Sequence, residues 1–463
     1  MSEKRETLAS RLGFILLSVG CAVGLGNVWR FPAVAGAYGG GMFVLLYIVA
    51  LLLLGFPVLV MELAIGRAGR LNMVGSFRRL SGGKTVWTRL AGFAFLGNLL
   101  LMMYYTTVSG WLFAYAKYYV CGEMALCRTQ EECGAVFGGL LSSPLHITGY
   151  MLLTVALGAL LCAGSLRNTV ERSVKFLMLA LFVVLACLVV KAMTLPGAAD
   201  GLKFYLVPDF RNFSSNISGT IFAAMGQAFF TLSLGVGSMT IFGSYLDAQN
   251  KRPLAKEAGQ IIALDTFVAF SAGLIIFPIC ATFGVDVQAG PSLIFVSLPA
   301  LFGQIAGGRL WGIFFFVFMS IAALTTVVAV FENIVAFLID EAHMRRGSAA
   351  AVVGVSIALL SLPCALGFNV LSGFHPMGAG SGVLDLEDFI VSQNLLPLGA
   401  LLSVLFCTVA CGWGWKSFVA EAEAGQRWKF GGVFRFYCRW ILPLIVIAIF
   451  VLGYIDMFTD LLK

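Results

Sequence analysis

Eleven apolar runs, each long enough to cross a bilayer, make up most of this chain. They lie at about 11–37, 41–68, 88–120, 146–163, 170–192, 217–247, 255–284, 309–341, 349–367, 386–412 and 437–459. A hydrocarbon core of ~30 Å calls for about 20 apolar residues as helix. Backbone in lipid must satisfy its own hydrogen bonds. The chain is therefore confined to an all-α membrane protein with eleven transmembrane helices. Several runs exceed the bilayer, which implies tilt, kinks or helix reaching into water. With 60% hydrophobic and 11% charged residues among 463, residues 1–463 read as a single transmembrane domain with no soluble domain beside it. No small-residue cleavage site follows the first run, so it reads as a retained span rather than a signal peptide.

Charge fixes orientation. With the N-terminus inside, 22 of the 30 Lys and Arg fall in cytoplasmic segments, as the positive-inside rule asks. Eleven crossings then put the C-terminus outside, in a multi-pass cell (inner) membrane protein. The net charge of +7 follows from this asymmetry and not from nucleic acid. Most of the eleven cysteines sit in apolar runs as small hydrophobes. Cys121, Cys127 and Cys133 share one polar loop, where both a disulfide and free thiols fit the pattern. No Cys/His spacing suggests zinc.

Inside the first run, Gly20-Cys21-Ala22-Val23-Gly24-Leu25-Gly26-Asn27 carries three glycines in seven residues, poor material for a helix. A break there frees backbone groups at mid-membrane depth, which must face protein, water or a ligand. Alone, the pattern fits a transport site or a close-packing glycine face. The sixth run repeats it, in Phe229-Phe230-Thr231-Leu232-Ser233-Leu234-Gly235-Val236-Gly237-Ser238. It comes five spans after the first. The units at about 11–192 and 217–412 are then inverted with respect to each other, with a binding site between broken helices one and six. The span at 437–459 is an addition to this five-plus-five repeat.

Broken helices offer free N–H groups to a carboxylate and free carbonyls to a cation; hard cations prefer oxygen. In the eighth run Ala322, Thr325 and Thr326 fall on one helical face. Thr also bonds back to its own helix. Glu62, Asp265 and Glu332 are acidic residues deep in spans, where a charge points to function.

Two stretches carry a family resemblance: Arg11-Leu12-Gly13-Phe14 through Gly20–Pro32 to Tyr38-Gly39-Gly40-Gly41, and Gly226-Gln227-Ala228-Phe229-Phe230-Thr231-Leu232-Ser233-Leu234-Gly235. They resemble the first and sixth spans of the neurotransmitter:sodium symporters, and the eleven-span count resembles their prokaryotic branch. The resemblance implies sodium-driven uptake of amino acids by alternating access, with sodium as coupling ion and no other cofactor. It assigns one sodium to Ala22, Asn27, Thr231 and Asp265 with the substrate carboxylate, and a second to Gly20, Val23, Ala322, Thr325 and Thr326. Tyr47, Gln227 and Thr231 match chloride-site residues of the family, but Ala269 stands where a hydroxyl or Glu is usual. The Asp265 carboxylate is expected to supply the missing charge, making transport chloride-independent.

The same resemblance puts the substrate carboxylate at Leu25, Gly26 and Tyr105, and the amine near Ala22, Phe230, Thr231 and Ser233. The side-chain pocket falls to Cys21, Leu101, Tyr105, Phe230, Val236, Thr326 and Val330. That pocket is uncharged, so desolvation excludes charged side chains, and hydrophobic branched or aromatic L-amino acids are expected. Family monoamine carriers have Asp at the position of Gly24, so Gly24 argues for a substrate with its own carboxylate. The outer gate falls to Arg30 and Asp388 above Phe230. The inner gate falls to Arg5 and Asp340 with Ser244 and Tyr245, and Leu8 replaces a usual Trp. Glu62 is expected to accept hydrogen bonds from the unwound sixth span. The rivals are a sodium- and chloride-coupled amine carrier, and a channel or non-transporting sensor on the same scaffold. An enzyme is excluded by the lack of a nucleophile–base pair, metal cluster or phosphate loop.

Overall fold

A computed structural model describes residues 6–210, 217–246, 252–285, 287, 290–378, 380–425 and 429–461. Nine uninterrupted helices among the described residues are long and apolar enough to span a membrane. They are Gly41–Gly69, Thr85–Cys121, Pro144–Ala163, Leu166–Met193, Leu254–Phe283, Gly308–Ala342, Arg346–Leu366, Val383–Thr408 and Gly432–Tyr454. In chain order they are spans two to five and seven to eleven. Span one is the bent pair Arg11–Ala22 and Gly26–Ala37, with 56° between its halves. Span six is Ile217–Thr231 and Ser238–Ser244. The runs read from the sequence are thus all helical, and both glycine-rich stretches are breaks.

The breaks have local causes. In span one the helix ends at Ala22, Val23 is extended, and helix resumes at Gly26 as a wide π turn. In span six, Ser233, Gly235 and Gly237 adopt φ of 49°, 96° and 81°. Left-handed residues cannot continue a right-handed helix, and glycine takes this conformation without a Cβ penalty.

Several helices contain further π turns. Besides Gly26–Arg30, these include Leu51–Gly55, Leu293–Ser297, Ile390–Leu395 and Tyr437–Ile441. A proline stands two residues after each: Pro32, Pro57, Pro299, Pro397 and Pro443. A proline ring clashes with the carbonyl four residues back and lacks the N–H to bond it. Widening the turn relieves the clash.

The connections also fold where the sequence reading assigned no helix. Met73–Leu80, Gln130–Ser142, Ala198–Leu206 and Trp415–Ala422 are short helices. Span eight runs through the middle of the bundle, packed against spans one, three, four and five. Its apolar window is 78% buried, against 28% for span five, so span five stands at the periphery and span eight is core. Spans three, seven and eight flank the two breaks and present side chains to both.

Candidate sodium and substrate site

Two clusters form where the breaks meet the flanking helices. The first joins Asn27, Thr231 and Asp265, all fully buried. The Asn27 amide donates to Asp265 Oδ1 at 2.7 Å and to Thr231 Oγ1 at 3.1 Å. The Thr231 hydroxyl donates to Asp265 Oδ2 at 3.0 Å. Asn27 Oδ1 accepts from the Gly24 N–H at 3.2 Å, so the side chain caps the break it lies beside. A buried carboxylate among hydroxyl and amide groups fits a hard cation.

The second cluster gathers around span eight. Thr326 Oγ1 lies 3.2 Å from the Gly20 carbonyl, 3.1 Å from that of Val23 and 3.4 Å from that of Ala322. The Thr325 hydroxyl donates to the Ala322 carbonyl at 2.9 Å. All five residues expected from the resemblance are therefore brought together. No group of three or more His, Cys, Asp or Glu is close enough to hold a metal among the described residues. The oxygens here are carbonyl and hydroxyl, as an alkali ion prefers and zinc does not.

Between the clusters, the Leu25 N–H donates to the Tyr105 hydroxyl at 3.2 Å. The Ser233 hydroxyl donates to the Cys21 carbonyl at 3.4 Å. Gly24 is crowded: a Cβ there would lie 2.5 Å from the Tyr105 hydroxyl and 2.7 Å from Thr326 Oγ1. Gly26 faces the Phe230 ring at similarly close range. Leu101, Val236 and Val330 are buried and come from spans three, six and eight. Glu62 Oε1 accepts from the Gly235 N–H at 2.7 Å, as expected for the unwound span; its other oxygen is buried without a partner. Gln227 donates to the Gly26 carbonyl at 3.0 Å. The Tyr47 hydroxyl is buried beside Thr231, Thr266 and Asp265.

The gate residues meet differently from the expected charge pairs. Arg30 and Asp388 are linked through Ser392: Arg30 Nη1 donates to Ser392 Oγ at 3.4 Å, and Ser392 donates to Asp388 Oδ1 at 2.7 Å. The Tyr104 hydroxyl takes the same Asp388 oxygen at 3.0 Å. Hydroxyls fill the carboxylate, and the Arg30 guanidinium instead lies 4.3 Å over the Phe230 ring, a cation–π contact. At the opposite end, Tyr245 donates to Glu332 Oε1 at 2.6 Å, and Glu332 pairs with Arg346. Asp340 accepts from the Asn72 N–H at 2.6 Å, and the Ser244 hydroxyl donates to its own helix at Ile241. Arg5 lies outside the described residues. A cavity of about 210 Å³ opens here between Leu8, Arg11, Tyr245 and Glu257.

Sequence reasoning missed Tyr104, Ser392 and Arg346, and it missed Asn98 and Asn333. The last two are lone amides in apolar spans, and that was the available signal.

Two interrupted helices crossing at a buried oxygen-lined site, inside a bundle of membrane-spanning helices, define a transporter rather than an enzyme. The chain matches the model of the Sodium:neurotransmitter symporter family over residues 5–137 and 140–461 and belongs to that family. It is a multi-pass, sodium-coupled symporter. It is 34% identical over 457 residues to the "Uncharacterized sodium-dependent transporter YhdH" of Bacillus subtilis, covering 97% of this chain and 98% of that protein. It is 31% identical over 486 residues to the "Uncharacterized sodium-dependent transporter MJ1319" of Methanocaldococcus jannaschii, covering 99% and 92%. The crystal structure of MhsT in complex with L-phenylalanine superposes with a TM-score of 0.87 at 35% identity, covering 97% of this chain and 99% of that one.

Proposed function

We propose that this chain takes up hydrophobic L-amino acids, branched or aromatic, with sodium, by alternating access and without a need for chloride. The observation that carries the reading is the crowding at Gly24 beside the Leu25 amide and the Tyr105 hydroxyl. There is no room for a side-chain carboxylate, and the paired Leu25 N–H and Tyr105 hydroxyl are donors suited to a carboxylate carried by the ligand. L-Phenylalanine in the similar MhsT supports an amino acid with a large apolar side chain.

In this reading the Asn27, Thr231 and Asp265 cluster, with the Ala22 carbonyl and the substrate carboxylate, holds one sodium ion. Gly20, Val23, Ala322, Thr325 and Thr326 hold the second. Asp265 contributes a fixed negative charge, which removes the need for a bound anion. The Arg11 end of the bundle is cytoplasmic, the Arg30 end is external, and the C-terminus is outside. Arg30, Asp388 and Phe230 close the external side. Tyr245 and Asp340, with Ser244 and Arg5, close the cytoplasmic side. Residues 1–463 form one transporter domain.

One observation favours a second reading, a chloride-coupled carrier: the Tyr47 hydroxyl is buried beside the Thr231 and Thr266 hydroxyls, donors of the kind an anion takes. A single binding experiment separates the two. Purified protein in sodium binds radiolabelled L-leucine, challenged by the other amino acids, tyramine and GABA, with chloride or gluconate. Displacement by large apolar amino acids in both anions is expected. Displacement by amines, or loss of binding in gluconate, would overturn the reading.

A further inference from the structure

Three buried polar residues lie one turn beyond the pocket expected for the substrate side chain. Asn98 is three residues from Leu101 on span three, and Asn333 is three residues from Val330 on span eight. Ser238 is two residues from Val236. All three are fully buried. They converge on the unwound stretch of span six. The Asn98 amide donates to the Val236 carbonyl at 2.7 Å, and the Asn333 amide reaches the same carbonyl at 3.5 Å. Asn333 also donates to Asn98 Oδ1 at 2.9 Å, and the Ser238 hydroxyl donates to that oxygen at 3.4 Å. On the neighbouring residue, the Gly235 N–H is held by Glu62.

A carbonyl in an unwound segment has lost its helical partner, and leaving it bare at membrane depth is costly. Two amides replace that partner. Their effect reaches the pocket because Val236 is pressed against Gly97: a Cβ at Gly97 would lie 2.6 Å from Val236 Cγ1. The backbone of Val236 is fixed on one side and its side chain on the other.

We propose that Asn98, Asn333 and Ser238 are positioning residues that fix Val236 and thereby set the depth of the side-chain pocket and its size selectivity. The proposal rests on the reading that Leu101, Val236 and Val330 line that pocket. Loss of the clamp lets Val236 yield to bulky ligands. A side chain at Gly97 drives Val236 into the pocket and excludes them. The two classes of variant therefore act with opposite sign.

The test uses the purified full-length protein in sodium, with radiolabelled L-phenylalanine displaced by L-valine, L-leucine and L-tryptophan. In Asn98→Ala and Asn333→Ala the tryptophan-to-valine affinity ratio rises by about tenfold, the discrimination worth roughly one methylene of pocket volume. Ser238→Ala, the mildest change, moves the ratio in the same direction, and Asn333→Gln restores it toward wild type. Gly97→Ala lowers the ratio. The sodium concentration for half-saturation stays unchanged in Ser238→Ala. Affinities that fall by one common factor for every ligand, or a ratio that does not move, would overturn the proposal while leaving the transport reading intact. If the wild-type protein binds no amino acid in sodium, both fail together.

Discussion

The Asn27 amide and the Asp265 carboxylate are joined at 2.7 Å. That contact ties the first break to span seven, and the Thr231 hydroxyl on Asp265 ties in the second. One buried carboxylate therefore holds three separate elements in register at the point where the helices are interrupted.

Asp265→Asn keeps the shape of this junction and removes its charge. Charge-assisted hydrogen bonds contribute about 1.5–3 kcal/mol, so sodium affinity is expected to fall by roughly 10- to 100-fold. Binding in the variant is expected to gain a chloride requirement, which the proposed reading denies to the wild type. Sodium titration of amino-acid binding, in chloride and in gluconate, measures both. An equal response of wild type and variant to the anion would remove the charge-replacement role.

Thr326→Ala deletes the hydroxyl that sits among the carbonyls of Gly20, Val23 and Ala322. The sodium requirement for half-maximal binding rises by about tenfold, equivalent to one lost hydrogen-bond-scale interaction of ~1.4 kcal/mol. At saturating sodium, affinity for the amino acid is nearly recovered. Affinity that stays low at saturating sodium would place Thr326 in the substrate pocket alone.

Gly24→Ala puts a methyl group against the Tyr105 hydroxyl and Thr326 Oγ1. Overpacking of this kind costs about 1–3 kcal/mol, and here it falls on Tyr105, which the proposed reading gives to the ligand carboxylate, and on Thr326, which it gives to the second sodium. Amino-acid affinity drops at least tenfold, and thermal stability measured without substrate falls as well. Retained affinity would sink the carboxylate assignment.

The Glu62 carboxylate uses one oxygen, on the Gly235 N–H. The informative change is Glu62→Leu, because glutamine keeps a carbonyl oxygen for the same N–H. Glu62→Leu strands a buried donor at a cost of about 1–3 kcal/mol and impairs uptake. Glu62→Gln retains most activity. Equal losses in the two variants would show that the charge, rather than the accepted bond, matters.

In the loop after span three, burial pushes the Cys133 thiol up to about 12, while Cys121 is exposed. A thiol reacts as thiolate, so at pH 8 Cys121 is labelled by maleimide in the folded protein and Cys133 is protected until unfolding. Mass spectrometry of the labelled peptides checks this; fast labelling of Cys133 would contradict its burial.

The spans and both breaks were legible because each is written in a continuous stretch of sequence. Glycines interrupting an apolar run leave the backbone few choices. The composition of the two clusters was legible through resemblance, since Asp265 and Thr326 carry no local sign of meeting Asn27 or Val23. What escaped was set by contacts between distant residues. Tyr104 and Ser392 compete with Arg30 for Asp388, and only the packing of span three on span ten decides that. Asn98 and Asn333, 235 positions apart, are unremarkable singly and meaningful as a pair. The short connecting helices were hidden for a different reason: their polar, mixed composition gives no membrane-length signal.

The π turns that precede Pro32, Pro57, Pro299, Pro397 and Pro443 bear on how this molecule can move. At each, the ladder of main-chain bonds already lacks a rung, because proline has no N–H to offer. Bending there breaks no bond that was whole before. Spans one, two, ten and eleven therefore carry built-in joints beside stiff rods. In the proposed transport cycle, rocking one set of helices against another would then be opposed chiefly by the side-chain contacts at the two ends and less by the backbone.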